Sequence, residues 1–293
     1  MTELAIITVL YNSDEVLEKF IKSFSIQTYK NFTLYLIDNS ASDSTDTLIG
    51  TLAKKYPVNK IIHIKNAVNN GAAGGNNVGI KEALKNGSDL ILLTNTDVKF
   101  NDIDLLKKAM DFFISSKEKI IVPKIFTAGK EKVWSAGGGF NSLLAKAQHY
   151  GYEKEDTAGY TISKHVKYAP TTFMFIQKEV FENVGLLDEK YFAYFEDSDF
   201  IFRSNKKGYK IFYWPAIDVE HLVSYTTGGK ASLFVLYYGA RNRIYFTKKN
   251  LPFYKWFITF PYILLLSFCR LIKYNPAQRK ATIKGVIDGF KLS

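Results

Sequence analysis

Short apolar runs, each closed by a polar cluster, punctuate the first hundred residues. Residues 4–11 (LAIITVLY), 32–37 (FTLYLI), 60–64 (KIIHI) and 90–94 (LILLT) have the length and aliphatic content of buried strands. Between them the spacing becomes helical. Val16, Leu17, Phe20, Ile21 and Phe24 share one face after the capping-type cluster Asn12-Ser13-Asp14, and Leu48, Ile49 and Leu52 repeat the pattern after Ser42-Asp43-Ser44. This alternation predicts a parallel, doubly wound half-domain through about residue 100. The run at 90–94 organises the rest, because an uninterrupted apolar strand needs helices on both faces and so sits centrally. It ends in Asn95-Thr96-Asp97, at the carboxyl edge where open α/β sheets bind ligands. Such a tip can offer an amide oxygen and a carboxylate to one hard cation holding phosphates. The same residue types also make ordinary turns.

A glycine-rich stretch, residues 69–84 (NNGAAGGNNVGIKEAL), opens a helix whose amides could approach a diphosphate. It lacks the Gly-Lys-Ser/Thr of a P-loop and the G-x-G-x-x-G spacing. Strands are expected at 119–126, 172–177 and 210–214, with a short helix at 178–184. Residues 134–141 (WSAGGGFN) read as a glycine-rich turn, and 141–167 as an irregular loop over the site. The run YFAYFEDSDF then sets Glu196, Asp197 and Asp199 at a helix start. Carboxylates there favour the helix dipole, but flanking aromatics would desolvate at least one and raise its pKa toward that of a general base. His221 follows the last strand, and with Asp97 it could complete a metal site.

Composition narrows the reading. Hydrophobic residues make up 47% of 293, so the chain is globular. The single cysteine, Cys269, excludes an intrachain disulfide and suits a reducing compartment. The start runs directly into a strand-like segment, with no basic leader expected. Of the net charge of +11, nearly all lies after Ala240, among Trp, Phe, Tyr and Leu. A basic, aromatic tail argues against nucleic acid and for an anionic membrane surface. Residues 256–269 (WFITFPYILLLSFC) are shorter than the roughly 20 residues of a span. Docking without crossing is therefore expected, with a buried core helix as the plain alternative.

Taken together, Tyr11-Asn12, IDNSASD at 37–43, NNGAAGGNNVGI at 69–80, TNTD at 94–97, EVFENVGLLDEKYFAYFEDSDFIFR at 179–203, His221 and YYGARN at 237–242 resemble the inverting glycosyltransferases of family 2, in the rhamnosyl- and galactofuranosyltransferase-like branch. The resemblance spans nearly the whole chain. It implies an α/β GT-A fold, Rossmann-like, over residues 1–230, with a nucleotide-sugar half (1–100) and an acceptor half (101–230). A helical, membrane-associating segment would occupy 231–293.

It implies a nucleotide-diphospho-sugar donor bound by Tyr11, Asp38 (at the base), Gly75, Asn76, Asn95, Asp97 and Arg241. Asp197 would be the general base beside Glu196, and Asn95, Asp97 and His221 would hold Mn2+ or Mg2+. Asn95 stands where the family has an acid, so metal affinity should be weaker. The implied partners are a lipid-linked saccharide and the cytoplasmic face of a bacterial inner membrane, and the resemblance is compatible with a homodimer. Rhamnose from dTDP-rhamnose is the expected sugar, with UDP-galactose, UDP-glucose or galactofuranose donors as alternatives. A nucleotidyltransferase would share the α/β half but should show an early basic glycine-rich loop, which is missing. A decayed sugar-nucleotide-binding module is the non-enzyme alternative, against which Glu196-Asp197 and His221 stand intact.

Overall fold

The computed structural model describes residues 3–40, 44–222 and 232–293. The chain begins β1 (Leu4–Leu10), α1 (Asp14–Ser25), β2 (Phe32–Asp38), α2 (Ser44–Lys55), β3 (Ile61–Lys65), α3 (Gly71–Lys85) and β4 (Leu90–Thr94). The four strands run parallel in the order β4-β1-β2-β3. Because β1, β2 and β4 are buried on both faces, their sequences are apolar runs without alternation. The five apolar residues predicted to share one face of α1 are all buried. Part of the IDNSASD motif, 41–43, lies outside the described residues.

The parallel pattern stops at β4. The next elements are β5 (Val98–Lys99), α4 (Leu105–Ser115), β6 (Ile120–Thr127), β7 (Val133–Ser135), β8 (Gly138–Asn141), β9 (Lys146–His149), β10 (Lys164–Val166), β11 (Phe173–Gln177), α5 (Lys178–Val184), α6 (Glu196–Lys206) and β12 (Ile211–His221). β11 inserts antiparallel between β4 and β6, while β12 runs parallel to β6. The segment expected to be one irregular loop, 141–167, instead contains β9 and β10, and β8 and β9 form a hairpin.

The strand expected at 210–214 continues to His221. Pro215 would normally end a ladder, but the register against β6 shifts between Tyr213 and Asp218, which accommodates it. That extension matters for the site. It pairs β12 with β5 and sets His221 opposite Val98, one residue beyond Asp97.

Helix α3 corrects the expected role of its glycines. It starts at Gly71, so most of the glycine-rich stretch lies within its first turns. A Cβ at Gly75 would stand 2.7 Å from the Val9 side chain, and one at Gly79 would stand 2.4 Å from Ile7. These residues let α3 lie close on β1. Gly75 therefore serves this close packing. Gly71 has φ +70, and a Cβ there would come within 2.2 Å of the Phe192 carbonyl oxygen.

The C-terminal region forms α7 (Leu233–Asn250), α8 (Phe253–Lys273) and α9 (Pro276–Lys291). Gly285 and Gly289 press α9 against the backbone of α7 at Tyr237 and Arg241. α8 is one continuous helix through Pro261, and its 21 residues exceed the apolar run on which the sequence expectation rested. At about 1.5 Å per residue it is roughly 31 Å long, so it meets the length and composition of a span, and the expectation that it is too short is corrected. It is not a core helix either, since only 12% of its most apolar window is buried.

Gly71→Ala should destabilise the protein by at least about 2 kcal/mol, from left-handed strain plus the clash at Phe192. Urea unfolding of both proteins measures this. Gly87→Ala, at another positive-φ glycine with open space around it, is the control that carries strain alone.

Candidate active site

A cavity of about 780 Å³ opens at the carboxyl ends of β1 and β4. The sheet order reverses beside β1 there, which is the switch point at which doubly wound sheets bind ligands. Tyr11, Asn12, Asn76, Asn95, Thr96, Asp97, Phe192, Tyr194 and Glu196 are among its lining residues. Most of the donor-binding expectations thus converge, from elements far apart in sequence. Asn76 donates to the Ala72 carbonyl within α3 while reaching this wall.

Asp38, at the end of β2, is fully buried. Its Oδ1 accepts from the Ser40 amide at 2.7 Å, and its Oδ2 has no hydrogen-bond partner. His63 stands 3.7 Å from that oxygen, and its other ring nitrogen lies 3.4 Å from Asp46. Asp38, Asp46 and His63 could together hold a cation, although Lys65 already stands 3.3 Å from Asp46.

Arg241 departs from its expected place. Its guanidinium donates to the Lys190 and Tyr191 carbonyls, the latter at 2.8 Å, and lies 4.7 Å over the Tyr238 ring. It braces a loop and is not among the cavity's lining residues.

Asp97 and His221 do meet. Asp97 Oδ2 lies 3.1 Å from His221 Nε2, and the Asp97 carbonyl accepts the Leu222 amide. Two adjacent ligands of an octahedral ion at about 2.1 Å stand roughly 3.0 Å apart, so the pair fits a hard divalent cation, with Asn95 on the same turn. Trp134 packs against the imidazole at 4.5 Å, and His221 Nδ1 is buried without a partner. His149 lies against the other side of Trp134, and burial followed by repulsion from His221 pushes its pKa down to about 4. That neighbour is therefore neutral and leaves the field at Asp97 unchanged.

The carboxylates divide by environment. Asp199 is fully buried on Arg203 (2.7 Å), Lys249 (2.9 Å) and Asn250 (2.8 Å), so it holds the helices together and is closed to substrate. Asp197 accepts from the Tyr168 hydroxyl at 2.6 Å and from both the amide and the hydroxyl of Ser198. Burial raises its pKa, while those donors oppose the rise. Glu196 has no such help. Its Oε2 is unpartnered, and burial reinforced by the Asp197 charge raises its pKa to about 8. In this coupled pair the shared proton resides on Glu196 and the charge on Asp197.

A second cavity, of about 550 Å³, lies on the far side of the pair. Its lining includes Tyr168, Asp197, Lys146 and Arg243, with Ile263 and Leu266 of α8. Glu196 lines both cavities. Sequence reasoning missed Tyr168, Trp134, His149, Lys146 and Arg243 as site residues. All but Arg243 fall between 134 and 168, where no local motif flags them.

A parallel half-sheet extended by antiparallel strands, with carboxylates where two cavities meet, is the architecture of GT-A glycosyltransferases. Solved structures agree on the fold. Residues 1–349 of S. aureus TarS in complex with UDP-GlcNAc superpose with a TM-score of 0.62 at 16% identity, covering 99% of this chain and 81% of that one. The Pyrobaculum calidifontis mannosyltransferase PcManGT, in complex with GDP-Man and Mn2+, gives 0.57 at 13% identity, covering 99% and 86%. The model of glycosyl transferase family 2 matches residues 5–185, and the chain belongs to that family. Among curated relatives, the low-salt glycan biosynthesis hexosyltransferase Agl10 of Haloferax volcanii is 26% identical over 83% of this chain and 75% of its own. The N-acetylglucosaminyl-diphospho-decaprenol L-rhamnosyltransferase of Mycobacterium tuberculosis is 22% identical over 77% and 78%. The protein is thus a glycosyltransferase.

The raised Glu196 pKa makes a stability prediction. The folded protein keeps this proton up to about pH 8, whereas the unfolded chain releases it near 4.5. Stability from this group is therefore full below about pH 4.5 and falls as pH rises toward 8. Glu196→Gln should flatten that fall, so its melting temperature should exceed the wild type's at pH 8 by more than at pH 5. Thermal unfolding across that range reads the difference.

Proposed function

We propose that the protein is an inverting glycosyltransferase that moves a hexose, rhamnose from dTDP-rhamnose first among candidates, from a nucleoside diphosphate to a lipid-linked saccharide. The observation that carries this is the position of Glu196-Asp197 in the wall between the two cavities. A base there can take the proton of an acceptor hydroxyl whose oxygen attacks the anomeric carbon of a donor, as a single displacement requires. UDP-galactose, UDP-glucose and galactofuranose donors fit the same chemistry. The Mycobacterium relative supports rhamnose and a lipid diphosphate by its name alone.

Asp38, next in the chain to Asn39 of the donor-cavity wall, holds a buried Oδ2 acceptor suited to the imide N–H of a uracil or thymine base. Asn95, Asp97 and His221 would hold a divalent cation, which when bound neutralises charge growing on the leaving diphosphate. On the acceptor side, Asp197 takes the hydroxyl proton as the oxygen bonds to the anomeric carbon. The bond from that carbon to the diphosphate oxygen breaks with inversion. Tyr168 and Ser198 keep Asp197 charged and aimed. Glu196, holding its proton, leaves the pair with one negative charge rather than two. The exposed face of α8 is read as lying in an anionic leaflet at the cytoplasmic side of a membrane. Its opposite stripe is engaged with the catalytic part through Thr259 and Ile263, both almost fully buried, which favours lying on the surface over crossing it.

Asp197→Asn should lower transfer by about 10²–10⁴-fold while nucleotide-sugar affinity stays within twofold. Nucleoside diphosphate release and calorimetric donor titration separate the two effects. Near-normal turnover would reassign the base to Glu196. Excess chelator should weaken donor binding, and Asp97→Ala should reproduce the effect without chelator. Full donor affinity in both would mean the cation is dispensable.

A further inference from the structure

We infer that the second cavity contains an anion subsite, built by Lys146 with Arg243, for the phosphate that joins an acceptor saccharide to a long-chain lipid, and that the lipid leaves along α8. This rests on the glycosyl-transfer reading and adds a recognition element on the acceptor side. The cavity has both charged and apolar lining. Asp197 and Glu196 stand in its lining together with Lys146 and Arg243, while Val235, Leu236, Ile263 and Leu266 supply apolar wall. The Asp197 carboxylate repels a phosphate, so an acceptor carrying one needs cations in the same chamber, and these two basic side chains supply them.

Their support is built into the fold. The β8–β9 turn that carries Lys146 is clamped from the C-terminal helices. Arg243 donates to the Leu144 carbonyl, Thr259 to the Leu143 carbonyl at 2.7 Å, and Lys255 to the Ser142 hydroxyl at 2.9 Å. Ala145, between them, is fully buried at φ +43, a left-handed conformation for a residue with a Cβ. Arg243 also lies 5.4 Å over the Tyr262 ring of α8, which fixes its guanidinium. Lys146 has no acidic partner among the described residues, unlike Lys249, which is spent on Asp188 and Asp199. Beyond the cavity, α8 exposes Phe257, Leu265 and Phe268, each more than 60% accessible, as a path for an alkyl or isoprenoid chain. The same helix thus forms a wall of the acceptor cavity and a greasy outer face.

The test uses the full chain and farnesyl diphosphate as probe, titrated by calorimetry, with inorganic pyrophosphate, farnesol and dioctanoyl phosphatidic acid as comparison ligands. Farnesyl diphosphate should bind at least tenfold tighter than pyrophosphate or farnesol, and UDP should not displace it. Lys146→Glu should weaken it at least tenfold, and Leu266→Gln should weaken it while leaving pyrophosphate unchanged. Neither variant should alter UDP affinity, and melting temperatures confirm that both fold. Equal binding by Lys146→Glu, or displacement by UDP, overturns the subsite. Phosphatidic acid binding as tightly through Lys146 would make this a phospholipid headgroup site and overturn the acceptor assignment. If nucleotide sugars bind and farnesyl diphosphate does not, the subsite is wrong and the transfer reading stands. If neither binds, both fall.

Discussion

The side-chain amide of Asn242 is the contact on which the site depends. It is fully buried, and its nitrogen donates to the carbonyls of Tyr191, Ala193 and Tyr194 at 2.6–2.9 Å. That loop cannot hold itself. Phe192, Tyr194 and Phe195 all have positive φ, and the Ala193 amide closes a tight turn onto the Tyr191 carbonyl. Each such residue costs about 1–3 kcal/mol, so the conformation persists only because its surroundings over-determine it. Asn242 supplies donors from one side, Arg241 adds to Lys190 and Tyr191, and the Ala72 amide caps Phe192 from the start of α3. The strain has a local consequence, since the loop ends at Glu196-Asp197. Helix α7 therefore positions the carboxylates although it carries no reacting group.

Charge is partitioned around that loop with the same economy. Three acids lie within four residues, yet only Glu196 and Asp197 face cavities. Asp199 is neutralised by Arg203 and Lys249, and Lys249 also binds Asp188, which accepts from Tyr245 as well. These contacts fasten α6 and α7 to the loop from below. Above it, Tyr168 and Ser198 select Asp197 as the charged member of the pair, whereas Glu196 is left with an unpartnered oxygen. The asymmetry is one of hydrogen-bond donors, not of residue type, so only the folded arrangement assigns the roles.

What the sequence could announce was what local pattern encodes. Buried parallel strands must be apolar throughout, so β1, β2 and β4 were legible with their polar tips. Helix α1 was legible because its five-residue face is what a one-sided helix requires. The cavity-lining residues at strand tips and at a motif-bearing helix start carry the same kind of local signal. Long-range contacts were not. Nothing near Tyr168 reveals that it meets Asp197, and the extension of β12 through Pro215 depends on a register shift against β6. Packing of Gly75 against Val9 and bracing of two carbonyls by Arg241 leave no local trace either.

The basic tail illustrates how composition overstates the charge that a fold leaves available at its surface. Read as a list, its cations all seem available to an anionic leaflet. In the fold the upstream ones face inward partners: Lys248 donates to the Phe290 and Leu292 carbonyls, Lys249 binds two carboxylates, Arg241 braces a loop, and Arg243 donates to the Leu144 carbonyl at the wall of the second cavity. The downstream Lys273, Arg279, Lys280 and Lys284 lie exposed on the surface. At about 1 kcal/mol each near an anionic surface, these contribute less than the whole basic tail read as a list. The exposed aromatic and aliphatic face of α8 must then carry most of any membrane affinity. Because the opposite stripe of α8 walls the second cavity, the surface that would meet lipid and the chamber that would receive a lipid-borne substrate share one helix.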